Sequence, residues 1–132
     1  MDKQHLPNYI HKFPDYPYWR VHETRHYRFY FFPKSLAEKE LSLIAETQER
    51  SFKKIISTLH IEVPRKKIAY YFYPSKMIKK RLMGDDWYAQ AIRAEFCVHS
   101  LYTKSIKPIG AHEDTHLLSL PWGISVGFFQ EG

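Results

Sequence analysis

The sequence predicts an α+β fold in which a small twisted mixed sheet packs against a long amphipathic helix. Aromatic residues make up 17% of the chain, and they suit the pleated, half-buried surface of a sheet. Runs typical of strands alternate with runs typical of helices. The 132 residues provide for one domain with a modest core, which we assign to residues 20–132.

The chain is predicted to begin with an irregular leader, residues 1–19, on the surface of the domain. This leader is rich in Tyr and His and contains three prolines that interrupt regular structure. The first strand is predicted at Val21–Phe32, where aromatic and β-branched residues run up to Pro33.

A long helix is predicted over residues 36–59. Ser35 and Glu38 have the spacing of a capping box at its start. Apolar positions then recur every three or four residues, and Gln48 is the one polar residue among them. The stripe consists of Leu41, Ile44, Ala45, Gln48, Phe52, Ile55, Ile56 and Leu59.

The middle of the chain is predicted to contain two more strands and a short basic helix. The second strand is Lys67–Tyr73, and the helix runs from a Ser75 cap to Met83, with Gly84 closing it. Asp85 and Asp86 are expected in a loop, and the third strand is Ala94–Tyr102. A mixed sheet is favoured over a parallel one because the last connection is short.

Composition argues against several classes of function. The formal charge is +6, but the basic residues are spread along the chain and form no recognisable nucleic-acid-binding module. No apolar stretch approaches the ~20 residues of a membrane span, and no signal peptide is visible, so the compartment stays open. Cys97 is the only cysteine, which excludes an intramolecular disulfide and suggests a small buried hydrophobe.

The segment that carries chemistry is His112-Glu113-Asp114-Thr115-His116, an HExxH motif. On a helix, positions i and i+4 share one face, so two imidazoles there can bind one zinc ion at ~2.0–2.1 Å each. Zinc lowers the pKa of a bound water toward ~7, and Glu113 is placed to accept its proton as general base. Asp114 is expected to face solvent or brace a basic neighbour, and is not predicted to be a ligand.

The third zinc ligand must be another His, Asp or Glu that follows, and Glu131 is the candidate. Pro121 should end the motif helix, and a second, antiparallel helix would then present Glu131 to the metal. Two His and one Glu, with water in the fourth position, form a catalytic zinc shell.

The run HEDTHLLSLPWGISVGFFQEG resembles the active-site stretch of gluzincin metallopeptidases, in particular the peptidase MA-like group. The resemblance is strong over residues 109–132 and weak over the rest of 20–132. It implies a zincin-like N-terminal subdomain, Zn²⁺ as cofactor and a peptide or protein substrate. It also implies that His112, His116 and Glu131 bind the metal and that Glu113 is the base.

The chain departs from the gluzincin pattern in two ways. Only fourteen residues separate His116 from Glu131, which is short for thermolysin-like and aminopeptidase branches. Gluzincins usually continue into a helical subdomain, so the chain is expected to be truncated after the glutamate ligand. In these enzymes the strand beside the metal pairs with the substrate backbone, although His99 and Tyr102 on the third strand are more simply explained by packing.

Other functions stay open at this point. The two motif histidines could be surface residues of an ordinary amphipathic helix, and Glu131 could be an exposed acid near the end of the chain. The alternative to a peptidase is a catalytically inactive zincin-like interaction or metal-binding module, and a basic nucleic-acid-binding domain ranks below both. Substrate specificity and oligomeric state are not predicted.

Overall fold

A computed structural model describes residues 19–119 as an α+β fold, with four α-helices and a five-stranded mixed sheet. The predicted fold class and the predicted mixed sheet are therefore confirmed at this coarse level. The predicted leader before Trp19, and the predicted second helix that carries Glu131, lie outside the described residues.

The elements of the described region follow the predicted alternation of strands and helices, but there are five strands where three were predicted, and the first long helix is divided in two. The strands are β1 (Arg20–Glu23), β2 (Tyr27–Phe31), β3 (Ile68–Tyr73), β4 (Ala89–Ile92) and β5 (Cys97–Leu101). The helices are α1 (Leu36–Lys39), α2 (Leu41–Leu59), α3 (Lys76–Met83) and α4 (His112–Leu118). A 3-10 turn at Arg93–Glu95 connects β4 to β5.

The strands of the sheet lie in the order β1-β2-β3-β5-β4. The three inner strands, β2, β3 and β5, run parallel to one another. The two outer strands are antiparallel to their neighbours, β1 to β2 and β4 to β5. Short connections join the antiparallel pairs, whereas parallel neighbours need long crossover connections, so a mixed sheet contains both.

The predicted first strand, Val21–Phe32, is in fact two strands joined by a turn at residues 24–26. The Thr24 amide donates to the Tyr27 carbonyl at 2.9 Å across this turn. The carboxylate of Glu49, on α2, accepts from the Thr24 hydroxyl at 2.6 Å and from the His26 amide at 2.8 Å. The turn is thus fixed by a side chain more than twenty positions away, which local sequence does not reveal.

The predicted helix over residues 36–59 is interrupted at Glu40, which separates α1 from α2 with φ −106° and ψ 19°. The start of α1 is as predicted, because the Ser35 hydroxyl accepts from the Glu38 amide at 3.3 Å. The Glu40 carboxylate accepts from the Tyr102 hydroxyl at 2.7 Å. This contact with Tyr102, the residue that follows β5, holds Glu40 between the two helices.

The predicted third strand, Ala94–Tyr102, begins later, at Cys97, because residues 93–95 form the 3-10 turn and Phe96 takes a positive φ of 53°. Strand β4 was not predicted from the sequence. Its residues, Ala-Gln-Ala-Ile, are poor in β-branched and aromatic side chains. Pairing with β5, from Ala89 opposite Ser100 to Ile92 opposite Cys97, makes this segment a strand.

One face of the sheet forms the first core with α2 and α4. The predicted apolar stripe is confirmed, since Ile44, Gln48, Phe52 and Ile55 of α2 are buried. Leu117 and Leu118 of α4 belong to the same cluster. The strands contribute the remaining members, among them Tyr27, Phe29, Tyr70, Phe72 and Val98.

The opposite face forms a second core beneath α3. Trp19 packs edge-on against Phe32, Tyr71 and Tyr73 with ring centroids 4.8–5.5 Å apart. As predicted, Ser75 caps α3 by accepting from the Ile78 amide at 3.2 Å, and Gly84 ends it with φ 86°.

An ion pair in this second region has one fully buried partner. The Lys79 ammonium of α3 has no exposed side-chain area and donates to Asp85 and to Gln90, both at 2.6 Å. Burial tends to raise the pKa of Asp85, but hydrogen bonds from Lys79 and Gln90 outweigh it and lower the pKa. The pair thus fastens α3 to the loop before β4.

We predict that Asp85→Asn lowers the free energy of unfolding by about 3 kcal/mol at pH 7, because it leaves a buried ammonium without a countercharge. Because the pKa of Asp85 is lower in the folded protein than its ordinary value of 3.8, the ionised carboxylate stabilises the fold at pH values above 3.8. That contribution is lost as the pH falls through the folded pKa. Urea denaturation should therefore show the variant and wild type converging below about pH 4. The control is Asp86→Asn, since Asp86 is exposed; equal losses in the two variants would contradict the prediction.

Candidate functional site

The HExxH motif lies on α4, so the helix predicted for it is present. Gly110 precedes the helix with φ +126°, a conformation that suits glycine. The helix then turns Leu117 and Leu118 into the first core, where both are buried. The side of α4 that faces away from the first core is therefore the side where metal-binding or catalytic side chains can lie.

The structure brings the two predicted ligand histidines together. The rings of His112 and His116 lie with their centroids 5.1 Å apart and their planes at 85°. The His112 side chain is 69% exposed, and His116 is half-buried. Each ring nitrogen lies on the rim of its ring, so this spacing allows one ion to contact both at ~2.0–2.1 Å.

Glu113 lies beside the first histidine. Its Oε2 is 3.5 Å from His112 Nε2, and its side chain is 15% exposed. The carboxylate is therefore partly shielded from solvent while it stays next to the His112 imidazole. A position beside the first histidine of the motif is the one predicted for the general base.

The predicted surface position of Asp114 is wrong. Asp114 is not at the surface but has no exposed area at all. Its carboxylate accepts hydrogen bonds from the Tyr27 and Tyr70 hydroxyls and from Gln48 Nε2, the last at 3.0 Å. Burial raises the pKa of Asp114 to about 7, although the hydrogen bonds from the two tyrosines act in the opposite direction.

Gln48 joins this buried group to the start of α4. Its Oε1 accepts from the Gly110 amide at 2.5 Å, and its Nε2 donates to the Gly110 carbonyl at 3.2 Å. The sequence does hold a signal for this arrangement, since Gln48 interrupts an apolar stripe. A buried amide needs polar partners, and Asp114 and Gly110 are those partners.

The strand nearest the motif in sequence is not the edge of the sheet. β5 lies between β3 and β4, so it cannot add a peptide strand, which corrects the expectation for the third strand. His99 and Tyr102 are both buried, as the packing explanation predicts. Within residues 19–119 the edge beside α4 is β4, whose Ala89 and Ala91 pack against the same core as Leu117.

The predicted third ligand, Glu131, lies outside the described residues, so its position relative to His112 and His116 stays a prediction.

Comparisons with protein-family models, with curated proteins and with solved structures find no significant match to this chain. None of the helices within residues 19–119 has the length and hydropathy needed to cross a bilayer.

We predict that Asp114→Ala lowers the free energy of unfolding by about 3 kcal/mol, because it removes the acceptor of three buried donors and opens a cavity. Asp114→Asn keeps the side-chain volume and one acceptor oxygen, so it should cost less, about 1 kcal/mol. Urea denaturation at pH 7 measures both losses. Asp86→Ala, at an exposed position, is the control. If Asp114→Ala were no more harmful than the control, the buried group would have no part in holding α4.

Proposed function

We propose that this protein is a zinc-dependent peptidase of the gluzincin type, with a zincin-like N-terminal subdomain. The observation that carries the proposal is the pair of imidazoles on α4, whose ring centroids are 5.1 Å apart, with the Glu113 carboxylate 3.5 Å from the His112 ring. His112 and His116 would hold the zinc ion together with Glu131. Two imidazoles and one carboxylate are a donor set found in catalytic zinc sites.

The surroundings of the motif support this proposal. α4 packs through Leu117 and Leu118 on a mixed sheet, and the Asp114 carboxylate anchors it by accepting hydrogen bonds from two tyrosine hydroxyls. The exposed side of the helix thus presents its imidazoles from a fixed backbone. A metal site requires such support, because ligands must be held close to their productive geometry.

The residues of the chain would divide the work as follows. When bound, zinc supplies Lewis acidity that polarises the scissile carbonyl and makes water a better nucleophile. Glu113 accepts the proton of the attacking water and passes it to the leaving amine. An extended peptide substrate would pair by strand addition with β4, the edge strand beside α4 within residues 19–119, and so lie alongside α4.

We predict that His112→Ala and His116→Ala each lose one equivalent of bound zinc relative to wild type. Each variant removes one nitrogen ligand from a shared ion. Elemental analysis after dialysis against dilute zinc measures the difference. His22→Ala is the matched control, because His22 is an exposed histidine on β1. Glu131→Ala should weaken zinc binding if Glu131 is the third ligand. Zinc contents equal to those of the control in both histidine variants would refute the metal site.

We predict that Glu113→Gln retains zinc but loses peptide hydrolysis by about 10²–10⁴-fold, since glutamine cannot accept the proton. The assay is cleavage of unstructured fluorogenic peptides by the full-length protein. Glu62→Gln, an exposed position, is the control and should keep wild-type activity. If wild type binds zinc through the two histidines but cleaves nothing, the inactive zincin-like binding module replaces the peptidase proposal.

A further inference from the structure

Three potential metal-ligating side chains meet on the face of the sheet opposite α4. Glu95 ends the 3-10 turn, and Cys97 and His99 follow on β5. Alternate residues of a strand point to the same face, so Cys97 and His99 share one. Cys97 belongs to the second core, whereas Leu117 of α4 belongs to the first. The group is therefore separated from the HExxH motif by the sheet itself.

Two of the distances between the ligand atoms are close to those around a single ion. Cys97 Sγ lies 3.6 Å from His99 Nε2 and 3.9 Å from Glu95 Oε1. All three ligand atoms lie within 4.8 Å of one another. In a tetrahedral zinc site with Zn–S of ~2.3 Å and Zn–N of ~2.0–2.1 Å, neighbouring ligand atoms are about 3.6 Å apart.

The His99 ring is held in the orientation that ligation requires. Its Nδ1 hydrogen-bonds with the Tyr73 hydroxyl at 2.7 Å, and the ring stacks on Tyr71 with centroids 4.8 Å apart. These contacts direct Nε2 toward Cys97 Sγ. Ligating histidines in proteins commonly use their second nitrogen in this way, which fixes the tautomer and the ring position.

The charges of the region allow a divalent cation. A Cys97 thiolate and the Glu95 carboxylate together carry two negative charges, which neutralise the ion. The nearby Lys79 ammonium is already paired with Asp85 at 2.6 Å. Cys97 and His99 are buried while Glu95 is exposed, so the ion can approach from the Glu95 side.

We propose that Glu95, Cys97 and His99 form a second metal site, selective for a thiophilic divalent cation such as Zn²⁺. Binding would transfer the Cys97 thiol proton to solvent as the sulfur–metal bond forms. Soft thiolate ligands favour zinc over magnesium or calcium, which prefer oxygen. This site shares no residue with the proposed catalytic centre, and it does not depend on that centre being active.

Cobalt(II) titration tests the proposal, because thiolate-bound cobalt has a charge-transfer absorption in the near ultraviolet that imidazole and carboxylate sites lack. Cys97 is the only cysteine of the chain, so any such band reports on this site. We expect the band to disappear on addition of Zn²⁺ and, once the other proposed site has been removed, to saturate at one equivalent of cobalt. It should persist in the His112→Ala/His116→Ala double variant and be absent in Cys97→Ser.

Two milder variants test the other contacts. Glu95→Gln changes an exposed ligand, and Tyr73→Phe removes the hydrogen bond to His99 while keeping the ring. Tyr73→Phe should weaken cobalt binding by about 10–100-fold, the usual effect of losing a supporting partner. Glu95→Gln removes a carboxylate ligand and should weaken cobalt binding at least as much. Glu62→Gln should bind like wild type. No charge-transfer band in folded wild type, or a band whose affinity neither variant changes, would overturn the proposal.

Discussion

The buried carboxylate of Asp114 is the constraint on which the arrangement of this domain depends. It accepts hydrogen bonds from Tyr27 on β2, Tyr70 on β3 and Gln48 on α2. One side chain of α4 therefore contacts three other elements. At about 100° per helical residue, positions 112 and 116 each lie two residues, about 160° around the axis, from position 114. Fixing Asp114 inward thus turns both histidines outward together.

This anchor has an energetic cost that an apolar residue would avoid. Burial raises the pKa of Asp114 to about 7, which shows that the ionised form is disfavoured in its site. Two tyrosine hydroxyls and an amide offset part of that cost through directional bonds. Apolar contacts such as those of Leu117 tolerate small rotations of a helix, whereas hydrogen bonds of fixed length and angle do not. The polar group therefore exchanges some stability for a defined orientation of α4.

The parts of the fold that the sequence predicts are those determined by local pattern. The stripe of α2, the Ser75 and Gly84 ends of α3 and the spacing of the HExxH motif all depend on neighbours within a few residues. What it missed depends on distant partners. The turn at residues 24–26 is fixed by Glu49, and β4 exists because β5 pairs with it. Asp114 was misjudged for the same reason, since its partners lie 44 to 87 positions away.

Strand β5 keeps the two proposed metal sites apart. Its side chains alternate, so Val98 packs in the first core with α4, while Cys97 and His99 face the second core. The donor atoms differ as well. The HExxH side offers imidazoles at an exposed surface, which suits a metal that must meet a substrate. The other side offers a buried thiol beside a histidine held by Tyr73, and thiolate ligands are common in structural zinc sites. A single ion type could therefore serve chemistry on one face and rigidity on the other.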